Sequence, residues 1–128
     1  MELTAEIAAT RAGRGDPRSL VGEFRRTVVL VPTVGEDRVR TGLYGGVRWI
    51  YAFTDEAALA RFALARGEAP DRPLAYAAVL GARLLDTVVP ALGGPAGVAV
   101  DVADEEGSML FPPAAGIVPD EAAVGAAR

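Results

Sequence analysis

Arg38-Val39-Arg40-Thr41-Gly42-Leu43-Tyr44-Gly45-Gly46-Val47-Arg48-Trp49-Ile50-Tyr51-Ala52-Phe53-Thr54-Asp55-Glu56 contains two extended runs, a glycine turn between them and the start of a helix. Residues 38–43 and 47–53 read as antiparallel strands joined through Tyr44-Gly45-Gly46, where glycine permits the positive φ of a tight hairpin. Register decides what this hairpin displays. With Leu43 facing Val47, one sheet face collects Val39, Leu43, Val47, Trp49, Tyr51 and Phe53, and Arg38, Arg40 and Arg48 take the other. A slip of one residue places Arg38 and Arg40 beside Trp49 and Tyr51 instead, a cation and aromatic surface. The segregated register is the expected one, because burial of one face specifies register strongly. Trp49 is then read as core. Thr54 is expected to cap the following helix, with Asp55 and Glu56 in its first turn. Ala58, Leu59, Phe62 and Ala63 share one face of that helix, Arg61 and Arg66 point elsewhere, and Gly67 ends it.

Working outward, residues 2–13 suit a short amphipathic helix stopped by Gly13 and Gly15. Asp16-Pro17 opens a second, with Leu20, Val21 and Phe24 facing inward. Residues 27–31 form an apolar, β-branched strand of central character that Pro32 is expected to close. After a loop over 68–73, residues 74–80 read as a buried strand, although so short an apolar run also fits a helix. Leu84, Leu85, Val88, Val89 and Leu92 describe another helix, which Pro90 should curtail and Gly93-Gly94-Pro95 should end. Residues 98–102 and 109–111 close a hairpin around Asp104-Glu105-Glu106-Gly107. In the tail, 112–128, Ile117, Val118 and Val124 could dock a short helix starting near Pro119 or Asp120. The expected fold is α+β, with a single compact domain over 1–128, a core over about 16–111, a mixed mostly antiparallel sheet with a central hairpin, and helices packed on it.

The 128 residues suffice for one domain without disulfides or metal. There is no Cys, His, Lys, Asn or Gln, and all 13 cations are arginine against 17 carboxylates. This bias resembles the codon drift of a high-GC genome. Thiol and imidazole chemistry, zinc fingers, a lysine phosphate loop and Schiff bases are thereby excluded. The acidic start lacks the basic and apolar regions of an export signal, and no apolar run approaches the roughly 18 residues that cross a bilayer. A cytoplasmic protein is expected, with no membrane partner.

Asp101, Asp104, Glu105 and Glu106 are the candidate carboxylates for a hard cation, and a metal- or small-ligand-binding protein or a hydrolase using Asp101, Asp104 and Glu105 is the alternative function. Their spacing matches no ligand loop, so a solvated hairpin tip is expected, with no metal and no cofactor. The glycines at 42–46 and 93–97 lack phosphate-loop spacing and are read as turns. Arg38, Arg40 and Arg48 are the candidate partner-binding residues, since guanidinium suits bidentate contact with carboxylates or phosphates; the same three also fit a solvated sheet face or a protein interface. A net charge of −4 and the lack of Asn, Gln and Lys argue against nucleic acid. A strand such as 38–43 or 109–111, if at an edge, could pair two copies in a homodimer.

Val29-Leu30-Val31-Pro32, Trp49-Ile50-Tyr51-Ala52-Phe53-Thr54-Asp55-Glu56-Ala57-Ala58-Leu59 and Gly81-Ala82-Arg83-Leu84-Leu85 resemble the N-terminal domain of the SseB (enhanced serine sensitivity) family over about residues 16–111. The resemblance implies a compact bacterial, intracellular α+β domain with no catalytic residues to carry over. The expected function is a non-enzymatic interaction or regulatory module with a protein partner, in an immunity-like or secretion-associated form.

Overall fold

Two consecutive glycines decide how the central hairpin closes. Gly45 and Gly46 take φ of 62° and 78°, the positive pair that a two-residue type I′ turn requires. In the computed structural model, which describes residues 2–36, 38–69, 71 and 73–124, the strands are β1 (Val28–Val34), β2 (Arg38–Val39), β3 (Thr41–Tyr44), β4 (Val47–Ala52), β5 (Tyr76–Leu80), β6 (Ala96–Val100) and β7 (Met109–Phe111). Residues 70 and 72 of the expected loop and 125–128 of the tail lie outside the described residues. Tyr44 is the last residue of β3 and opposes Val47, so Leu43 opposes Arg48 and Gly42 opposes Trp49. The hairpin thus adopts the slipped register, not the segregated one. Ile50 and Ala52 face the core, fully buried, and Trp49 and Tyr51 lie half-buried on the opposite face. The reading of Trp49 as core is corrected for this reason.

β2-β1-β5 form one sheet and β3-β4-β6-β7 the other, with β4 and β6 parallel and the remaining pairs antiparallel. The two are joined where Leu30 and Phe53 exchange backbone hydrogen bonds of 2.8 Å in both directions. Two residues on, Pro32 has no N–H for the β4 side, and the strands part. The 38–44 run enters the gap: Arg40 N–H donates to the Pro32 carbonyl (2.8 Å) and Tyr51 N–H to the Arg40 carbonyl (3.3 Å). Pro32 therefore interrupts one ladder without closing β1, which continues to Val34. Proline is tolerated there because antiparallel alternation turns its nitrogen away from β5.

Helices α1 (Leu3–Arg11) and α2 (Pro17–Arg25) and a segment built from α4 (Gly81–Arg83), a π-helical stretch (Leu84–Val88) and α5 (Val89–Ala91) cover one sheet face. Ile7, Phe24, Leu84, Leu85 and Val89 there bury against Val29, Val31, Ile50, Val98 and Phe111. The Phe24 and Phe111 rings stack with centroids 4.5 Å apart, and burying each ring contributes roughly 1.5–3 kcal/mol. Helix α3 (Glu56–Ala65) covers part of the other face, setting Leu59 and Phe62 against Leu30, Tyr51 and Phe53.

Local signals differ from expectation at four places. Asp55, not Thr54, caps α3, its carboxylate accepting from Ala58 N–H at 2.8 Å. Asp16 accepts from the Ser19 hydroxyl and makes no side-chain bond to the α2 backbone. Pro90 does not curtail its helix, which runs to Ala91; lacking an N–H for the Asp86 carbonyl, it follows a π turn in which Val89 N–H reaches the Leu84 carbonyl. Residues 76–80 do form a strand, but an exposed edge strand, not a buried one. The tail ends in a short 3-10 turn, Asp120–Ala122, after the buried Val118.

Candidate functional site

Arg38, Arg40 and Arg48 meet at one groove. β2 and the β3–β4 hairpin form one wall, and Thr87, Val88, Ala91 and Leu92 of the π-interrupted helix and its end form the other. The groove holds about 710 Å³, with Val34, Val39 and Thr41 completing its lining. Each wall follows from a local irregularity. The wedge created by Pro32 carries Arg38 and Arg40 to the open end of the sheet, and the π turn before Pro90 sets the register in which Thr87, Val88 and Ala91 reach the groove. Arg38 and Arg48 are exposed, and among the described residues neither is in a salt bridge. Arg40 is shared with a second hollow: its Nη1 lies 3.6 Å from Glu68 Oε2, beside Leu59, Phe62 and Leu74. The three arginines thus border one groove, and among the described residues Arg38 and Arg48 are the two of them in no salt bridge.

The chemistry of the lining is narrow. It combines guanidinium groups, two threonine hydroxyls and aliphatic side chains, and no carboxylate, tyrosine or serine among the described lining residues can take or give a proton. Such a surface can hold an anion and bury an apolar group next to it. Sequence reasoning missed the helical wall. Thr87 and Ala91 carry no chemical signature of their own, and the one available signal, Pro90 inside a helical pattern, was read as a stop.

The carboxylates of the alternative site do not converge. Asp101 is buried at a φ of 51°, and both its oxygens are engaged, accepting from Thr54 N–H (2.9 Å) and the Thr54 hydroxyl (2.7 Å). Burial pushes its carboxyl above the ordinary range, opposed by these two hydrogen bonds and reinforced by Asp55 and Asp104. Asp104 closes its own turn by accepting from Glu106 N–H at 3.0 Å, and the Glu105 carbonyl accepts from Arg11 at 2.6 Å. Among the described residues no group of three or more acidic side chains is gathered as a cation site. Asp101 is instead the link between the parallel ends of β4 and β6.

A second open surface lies on the outer face of the four-stranded sheet, where Tyr44, Trp49, Tyr51 and Leu110 line a shallow hollow of about 340 Å³. Gly42 and Gly97 lie within β3 and β6, not in turns, and each makes room for a ring. A Cβ at Gly97 would come within 2.8 Å of Trp49 Cζ3, and one at Gly42 would meet the Tyr51 hydroxyl. Among the described residues no helix is long and apolar enough to cross a membrane. Comparison with protein-family models, with curated proteins and with solved structures found no match.

Proposed function

We propose that this chain is a non-catalytic binding module, acting in the cytoplasm, that captures an acidic segment of a partner protein in the groove between the β3–β4 hairpin and the helix ending at Leu92. The observation that carries this reading is the convergence of Arg38 from β2 and Arg48 from β4 on a groove whose helical wall presents Val88, Ala91 and Leu92 beside Thr87. Arginine forks match carboxylate geometry, and Val34, Val39, Val88 and Leu92 provide apolar contact beside them. An extended peptide carrying Asp or Glu next to a Leu or Val satisfies both features. An interaction or regulatory role also fits the lack of Cys, His and Lys chemistry, and the SseB resemblance adds an immunity-like or secretion-associated setting as its specific form.

The test is a titration with a synthetic peptide alternating Glu and Leu, compared with the same peptide carrying Lys for Glu. The acidic peptide should bind, weaken as salt rises, and lose at least tenfold in affinity in the Arg38→Glu/Arg48→Glu variant. Arg40 is left intact because reversing it would place like charges beside Glu68. Equal binding of both peptides, or an unchanged affinity in the variant, would set the proposal aside.

A further inference from the structure

We propose that β5 is a dimer interface, at which the Tyr76–Leu80 strands of two copies pair antiparallel about a two-fold axis at Ala78. Hydrogen bonding defines which groups are free. Thr33 N–H donates to the Ala75 carbonyl (3.0 Å) and Gly81 N–H to the Thr27 carbonyl (2.8 Å), and the register between them is unbroken from Val28–Leu80 to Pro32–Tyr76. Antiparallel alternation therefore turns the N–H and C=O groups of Ala77 and Val79 toward β1 and those of Tyr76, Ala78 and Leu80 away from it. Leu30, paired with Ala78, obeys the same rule, since its own groups face away from β5 and bond Phe53.

This edge has none of the usual protections against pairing. It contains no charge, no proline and no bulge, whereas β7 is three residues long and is followed by Pro112-Pro113, and β2 is two residues long. Tyr76 is 41% exposed and Leu80 43%, and the apolar surface continues onto Val28 at 56%. A second copy fits the edge by its own sequence. A two-fold at Ala78 sets Tyr76 against Leu80 of the other strand at both ends, places a small residue on the axis, and completes hydrogen bonds at all three outward residues. No β5 residue lines the arginine groove, so this interface is independent of the proposed function.

Sedimentation of the wild-type chain, of Ala78→Lys, of Ala78→Glu and of the two variants mixed is the test. Ala78 is exposed, and like charges directly opposite across a strand pair are destabilising. The wild type should sediment at twice 13.2 kDa, each variant alone at the single-chain mass, and the equimolar mixture at the dimer mass again. Amide exchange on the wild type provides a readout free of substitution: Tyr76, Ala78 and Leu80 should gain protection as concentration rises. A wild type that stays at the single-chain mass, a dimer that survives in both variants, a mixture that fails to re-form it, or exchange at these amides independent of concentration would each overturn the proposal.

Discussion

Asp101 is subject to two opposed demands. Its carboxylate is the acceptor that fixes the Thr54 turn, yet burial disfavours the charge that makes it a good acceptor, and its φ of 51° is a conformation that asparagine tolerates better than most residues. Because the folded-state carboxyl is raised above its ordinary value of 3.8, its contribution to stability is fully present below that value and is lost as pH rises through the raised one. Asp101→Asn keeps an acceptor for Thr54 N–H, offers a donor to the hydroxyl and removes the buried charge. It should be at least as stable as the wild type at neutral pH, and the difference between the two should shrink as pH falls through the window above 3.8. Asp101→Ala should lose about 1–3 kcal/mol by leaving the Thr54 N–H without its partner. Urea midpoints across pH provide the comparison. An Asp101→Asn variant as unstable as Asp101→Ala would show that the charge itself is needed there, as a bound cation would require.

Among the elements, the hairpin shows how one local choice propagates. With both glycines at positive φ, a side chain at either position is strained, and Gly46→Ala should destabilise the chain by about 1–2 kcal/mol. A thermal melt unchanged by Gly46→Ala would be inconsistent with the two-residue turn. The turn is legible, since Gly-Gly between alternating runs is itself a two-residue hairpin signal, but the sequence reading takes Tyr44 into it and sets Leu43 against Val47. That register fails because α3 covers the Trp49 face only at Tyr51 and Phe53 and leaves it open at Trp49. Helices α1, α2 and α3 were readable from Leu3 and Ile7, from Asp16-Pro17, and from the Ala58-Leu59-Phe62 spacing, since their periodicity and breakers are local. Pro32 and Pro90 misled in the same way. A proline marks a missing donor, and whether that ends an element depends on what faces the nitrogen, which is tertiary information. The burial of β5 was overestimated for a similar reason, because an apolar run reads alike at a sheet centre and at an edge. Arg25 and Asp86, paired bidentately at 2.9 and 2.7 Å, join α2 to the π turn. With side chains 38% and 46% exposed, the pair contributes at most about 1 kcal/mol.

For the molecule as a whole, the α+β class and the single compact domain were within reach of the sequence, and the arginines were identified without the groove that they border. Arg38, Arg40 and Arg48 were grouped by strand alternation, yet they meet because Pro32 opens the sheet and the 38–44 run fills the gap. Their helical wall, Thr87 to Leu92, was invisible because nothing in its residue types distinguishes it from any amphipathic helix. The central claim is that this groove, and not the aromatic hollow around Trp49 or the acidic turn at 104–107, is where a partner binds. Backbone amide shifts of the labelled chain, followed while the Glu-Leu peptide is added, test it most directly. The account predicts changes confined to Arg38, Val39, Thr41, Arg48 and the stretch from Thr87 to Leu92, abolished by Arg38→Glu/Arg48→Glu. Shifts centred on Tyr44, Trp49 and Leu110, or no shifts at all, would contradict it.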